Sequence, residues 1–126
     1  MHRSTATLTL LTASFITFGC GGTFPVPTQS LADAQAAERS ATELGAANQP
    51  KAQLHLSLAH EQIGQANVAI KDGDNERADS LLRRARSDAE LAIALTRDQT
   101  AKSDATKAII QSNAQQTVNA NQGATQ

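Results

Sequence analysis

The chain has 126 residues, with 11 basic against 12 acidic side chains and a formal charge of −1, so it lacks the positive footprint that nucleic-acid binding requires. Trp and Tyr are absent and Phe occurs three times, which argues against base stacking, sugar stacking and aromatic cages as modes of recognition. Alanine dominates instead, and with one cysteine no internal disulfide can form.

In chain order, Met1-His2-Arg3 supplies a short positive start, and the apolar run from Ala6 to Phe18 has the length of an export-signal core. A membrane span would need about 20 apolar residues. Cys20 follows immediately in Thr17-Phe18-Gly19-Cys20-Gly21-Gly22. An unpaired thiol in an exported chain calls for an explanation other than a disulfide. A lone cysteine behind a small residue at the end of such a core resembles the lipobox of bacterial lipoproteins. In those proteins the thiol is acylated and cleavage makes the cysteine the new first residue. Thr17 and Phe18 stand where that pattern usually has an aliphatic and a small residue. The resemblance implies a signal peptide over 1–19, lipidation at Cys20 and attachment to a bilayer. Gly21 and Gly22, with no aspartate beside the cysteine, resemble the pattern sent to the outer membrane, facing the periplasm. Acyl chains contribute about 0.8 kcal/mol per buried methylene, so two or three of them hold a protein to one leaflet.

From Cys20 onward 107 residues remain, with 10 basic and 12 acidic side chains, enough for one small domain. Residues 20–29 contain Pro25 and Pro27 and read as a non-helical tether. Ser30 is expected to cap a first helix over about 30–46, with Asp33 near its positive end. Leu31, Ala34, Ala37 or Glu38, Ala41 and Leu44 then mark one face.

Gly45 to Pro50 breaks the pattern, and Pro50 suits the first turn of a second helix over about 49–71. Ala52, Leu56, Ala59, Ile63, Ala66 and Ile70 form a coiled-coil-like seam there, widened on one flank by Leu54 and Leu58. Asp72-Gly73-Asp74 predicts a turn, with Gly73 left-handed and Asp74 capping a third helix over about 74–111. Its seam is Ala78, Leu82, Ala85, Ala89, Ala92 and Thr96, bordered by Leu81, Ile93 and Leu95. A connection this short forces an antiparallel hairpin, and the fold class is all-α: a helical hairpin within a small three-helix bundle. Asp79 with Arg83 and Asp98 with Lys102 are placed for i, i+4 pairs. The Ala-rich domain thus spans 30–110. Residues 111–126, rich in Gln, Asn, Ala and Thr, read as a low-complexity, disordered or frayed tail.

No catalytic or cofactor constellation is expected. His55 and His60 are five residues apart, which turns them about 140° from each other on a helix and prevents a shared metal. Asp72, Asp74 and Glu76 alternate like the start of a calcium loop, but Arg77 and Arg83 occupy the sixth and twelfth positions, where glycine and glutamate are needed. The chain is therefore expected not to be an enzyme and to bind no metal.

Over Leu31 to about Thr106, the helically spaced alanines, the Gly45–Pro50 break, Ile63-x-x-Ala66-x-x-x-Ile70-x-x-Gly73-Asp74 and Ala78-x-x-x-Leu82-x-x-Ala85-x-x-x-Ala89-x-x-Ala92 together resemble the bacterial domain-of-unknown-function family numbered 4398. The resemblance implies a small helical exported protein, often a lipoprotein, and carries no catalytic residue. The expected role is a non-catalytic interaction or structural module of the envelope. Leu54, Leu91, Ile109 and Ile110 are left over for a protein partner or self-association. The alternative is an envelope spacer that associates non-covalently with peptidoglycan, since the sequence ends in Ala124-Thr125-Gln126 and not in the lysine that a covalent spacer uses.

Overall fold

The computed structural model describes residues 24–123; Cys20 and the expected signal segment lie outside the described residues. Three helices follow one another, α1 (Thr28–Glu43), α2 (Pro50–Lys71) and α3 (Asn75–Gly123), with a 3₁₀ turn at Ala46–Asn48 between the first two. Among the described residues there is no strand, and the fold is the all-α bundle that the two alanine seams predict.

The hairpin of α2 and α3 is closed by backbone geometry that only glycine adopts cheaply. Gly73 has φ +79°, its amide donates to the Ile70 carbonyl (3.1 Å) and the Asp74 amide donates to the Ala69 carbonyl (2.9 Å). These two bonds are the paired closure of a Schellman motif and satisfy carbonyls at the end of α2. Asp74 then caps α3, its Oδ1 accepting from the Arg77 amide at 3.2 Å. At the other connection Gly45 has φ +84° and donates to the Thr42 carbonyl, and Pro50 opens α2 in its first turn.

Gly64 and Gly73 make a matched pair for test, because a methyl added at either meets no atom within 4 Å. In the interior of α2, Gly64→Ala should stabilise the fold by about 0.5–1 kcal/mol, chiefly by restricting the unfolded chain. At the left-handed Gly73 the same change should cost about 1–2 kcal/mol. Urea denaturation of both variants gives opposite shifts of the midpoint if the turn has this conformation.

All six residues of the expected α3 seam are buried. On α2, Ala52, Ala59, Ile63 and Ala66 are buried, while Leu56 and Ile70 are partly buried against the core. The core divides in two along the bundle. At the hairpin-turn end Leu82 and Leu81 pack with Ile63, Ala34, Ala66, Ala69, Ala78 and Ala85, with Leu31 against them. At the other end Ala41, Ala46, Ala52 and Ala92 meet, flanked by Leu56, Ile93 and Leu95. Leu31 thus lies by the hairpin turn and Ala41 at the far end, so α1 runs parallel to α3, on which it mostly rests, and antiparallel to α2.

Three expectations are corrected. The first helix runs over Thr28–Glu43, not 30–46, and Ser30 does not cap it. Pro27 holds the cap position without a side-chain bond, because the Ser30 hydroxyl donates instead to Asp79 Oδ1 of α3 at 2.6 Å. Leu44, placed on the buried face by spacing, is 44% exposed because the chain turns away at Gly45. The third helix overruns its expected end at Gln111 and continues to Gly123. The added turns are unpacked, every residue from 104 to 122 being exposed.

Candidate functional site

The surface has four parts, each set by how the helices pack. The first is the entry of the chain. Pro27 is buried and its carbonyl accepts from the Leu31 amide, while Asn75 Nδ2 donates to the Phe24 carbonyl at 2.8 Å. Phe24 is therefore fixed at the hairpin-turn end of the bundle, beside the start of α3. Cys20, the one lipidation residue read from the sequence, precedes it by four residues, a reach of at most about 14 Å.

The second part is the polar rim that ties α1 to one flank of the hairpin. Ser30 reaches Asp79, Arg86 Nη1 lies 3.3 Å from Asp33 Oδ2, and His60 Nδ1 lies 2.7 Å from Glu38 Oε1. Arg86 also donates from Nε to Glu90 Oε1 at 2.8 Å. The hydrogen bond and charge of Glu90, and then the charge of Asp33, hold the Arg86 guanidinium above its ordinary pKa, so it is cationic throughout the physiological range. The expected i, i+4 pairs are present, with Arg83 on Asp79 at 3.1 Å and Lys102 on Asp98 at 2.7 Å. Spacing along one helix finds such pairs; the bonds between helices leave no local signal.

The third part is the opposite flank of the hairpin, which α1 does not cover. His55 Nδ1 lies 2.9 Å from Asp88 Oδ1, and Gln62 Nε2 donates to Asp88 Oδ2 at 2.7 Å, so two residues of α2 converge on one carboxylate of α3. His55 and His60 thus serve different flanks, and the structure does not bring them together. Beside this cluster Leu54 is 58% and Leu91 42% exposed. A groove of about 370 Å³ lies at one end of the flank, with Lys51, Leu95 and Asp98 among its lining, and another of about 220 Å³ lies at the hairpin-turn end beside Val68, Asp72 and Arg77. Among the described residues no group of three or more His, Cys, Asp or Glu is placed to hold a metal, and no helix is long and apolar enough to cross a membrane.

The fourth part is the end of α3. From Asp104 to Gly123 it extends about 30 Å beyond its last contacts, at the end of the bundle opposite Phe24. Ile109 and Ile110 on it are 62% and 63% exposed.

Such an arrangement defines a class of small all-α protein in which a hairpin is zipped by alanine and a third helix is laid on one of its flanks. The chain belongs to the family described as Domain of unknown function (DUF4398), whose pattern it matches over residues 29–108. The match takes in α1, α2 and the packed part of α3; the last turns of the projecting arm lie beyond it. No curated protein and no solved structure gives a match.

Proposed function

We propose that this chain is an exported lipoprotein, held by acylated Cys20 to the outer membrane and facing the periplasm, whose bundle acts as a non-catalytic interaction or structural module. The observation that carries this reading is the polarity of the molecule. The tether leaves the bundle at the hairpin turn, where Asn75 holds Phe24, and the bare arm of α3 leaves at the other end. An anchor at Cys20 would hold the first end at the bilayer and direct the arm into the space beyond, with the long faces of the bundle open to a partner.

Intact mass of the full chain expressed in its native host tests the anchor. The expected species begins at Cys20 and carries acyl mass, and Cys20→Ser abolishes both the cleavage and the added mass. An unacylated product from the unsubstituted chain sinks the anchor.

The spacer reading is favoured by the arm itself, which carries no charged residue after Lys107 and is rich in Gln, Asn and Thr. Non-covalent association with peptidoglycan through this arm predicts that the protein sediments with purified cell wall and that a stop after Ile110 releases it. Equal retention of the shortened chain argues against the arm as the wall contact.

A further inference from the structure

We propose that the hairpin flank left open by α1 is a self-association surface, on which a second copy of the chain packs in parallel about a two-fold axis running along the bundle.

The surface consists of two stripes. On α2, Lys51, Leu54, Leu58 and Glu61 recur at spacings of three, four and three, and on α3, Arg84, Asp88, Leu91, Leu95 and Asp98 at four, three, four and three. Each set therefore lies along one side of its helix. Both border the flank where His55 and Gln62 meet Asp88, away from the ties that Ser30, Asp33 and Glu38 make on the other side. Leu54 is more than half exposed there and Leu91 somewhat less, while Leu58 and Leu95 are half-buried.

The antiparallel register fixes which residues stand at equal height. Lys51 lines one groove with Leu95 and Asp98, and Val68 lines the other with Arg77. Between these two fixed points Glu61 falls level with Arg84, and Leu54 and Leu58 fall level with the stretch from Asp88 to Leu95. A two-fold along the bundle lays α2 of one copy on α3 of the other at the same height. Leucine then meets leucine at the centre, Glu61 meets Arg84, and Lys51 meets Asp98, each contact occurring twice. Among the described residues Lys51 and Arg84 make no ion pair of their own, whereas Asp98 is held by Lys102.

A two-fold across the bundle would also match charges, pairing Glu61 with Lys51 and Arg84 with Asp98. The parallel arrangement is chosen because it puts both Phe24 ends on one side, as two tethers entering one leaflet require, and in this respect the inference rests on the anchored-module reading. The stripes are about 15 Å long on α2 and about 21 Å long on α3, so the interface is at the small end of specific ones and the dimer is expected to be concentration-dependent.

Sedimentation velocity of the full chain in mild detergent, over a range of concentrations, tests this. Glu61→Arg and Arg84→Glu should each weaken dimerisation by about tenfold or more, and the double reversal should restore it, with far-UV circular dichroism unchanged in all three. A monomer at every concentration, or a dimer indifferent to the single reversals, overturns the surface. Rescue of Glu61→Arg by Lys51→Glu in place of Arg84→Glu overturns the parallel arrangement. Acylation of Cys20 is read separately by mass, so loss of the dimer and loss of the anchor are distinguishable.

Discussion

Leu82→Ala is expected to destabilise the fold by about 2–5 kcal/mol, near the upper end of that range, and to lower the melting temperature by at least about 10 °C. Among the described residues Leu82 is the largest side chain that is fully buried. Of the buried residues in its cluster, only Ile63 and Leu81 exceed alanine in size; the others are Ala34, Ala66, Ala69, Ala78 and Ala85. Alanine has no rotamer with which to move into a void, so the cavity left by the lost atoms persists and its lining loses dispersion contacts outright. A small domain has about 5–15 kcal/mol in total, so this one change removes a large share of it. Urea denaturation followed by circular dichroism measures the loss. Leu54→Ala, at a position 58% exposed, is the control and should shift a dilute sample by no more than about 0.5 kcal/mol. Equal effects at the two positions would mean that the seam around Leu82 is not the core.

How far the sequence disclosed this arrangement depends on how local each cause is. The α3 seam was legible because the burial of Ala78, Leu82, Ala85, Ala89, Ala92 and Thr96 follows from a periodicity that no other pattern competes with. The hairpin turn was legible because Gly73 and Asp74 each have one conformational use there. The start of α1 was not, because Ser30 has two possible partners, its own helix N-terminus and Asp79, which lies 49 residues away, and only the packed structure decides between them. The end of α3 was misplaced for an energetic reason. Continuing the seam beyond Thr96 gives Gln99, Ser103, Thr106, Ile110, Asn113 and Thr117, which offer little to bury. A helix already nucleated nevertheless propagates at small cost per residue through good formers such as Ala and Gln, so the helix outlasts its packing. For the functional surface the division is similar. The proposed anchor at Cys20 rests wholly on the sequence, and Leu54 and Leu91 stand out in it as leftover leucines. That they share one uncovered flank with Glu61 and Arg84 depends on which side α1 takes, and this is settled by the ties of Ser30, Asp33 and Glu38.

The second large effect is expected where nothing large is buried. Ala92→Leu should cost about 3 kcal/mol or more, at or beyond the upper end of the usual overpacking range, although it adds only apolar atoms to an apolar site. Ala92 meets Ala41 of α1, Ala46 of the 3₁₀ turn and Ala52 of α2, all four with no exposed surface. Four methyl groups, bordered by the partly buried Leu56, Ile93 and Leu95, therefore fill the point where every element of the fold converges, and the approach of the helices there is set by their size. Three further heavy atoms would have to push apart α1, α2 and the turn together, and the short, hydrogen-bonded connection at Gly45 leaves α1 little slack. Ala92→Ser separates volume from polarity. Its hydroxyl can donate to the carbonyl four residues back, as Thr96 does to Ala92 at 2.8 Å in the same seam, so its cost should stay below about 1 kcal/mol. The expected order of midpoints is wild type, then serine slightly below, then leucine far below. If leucine were tolerated as well as serine, the helices would have room at this end, and alanine would be there for its helix propensity and not for its size.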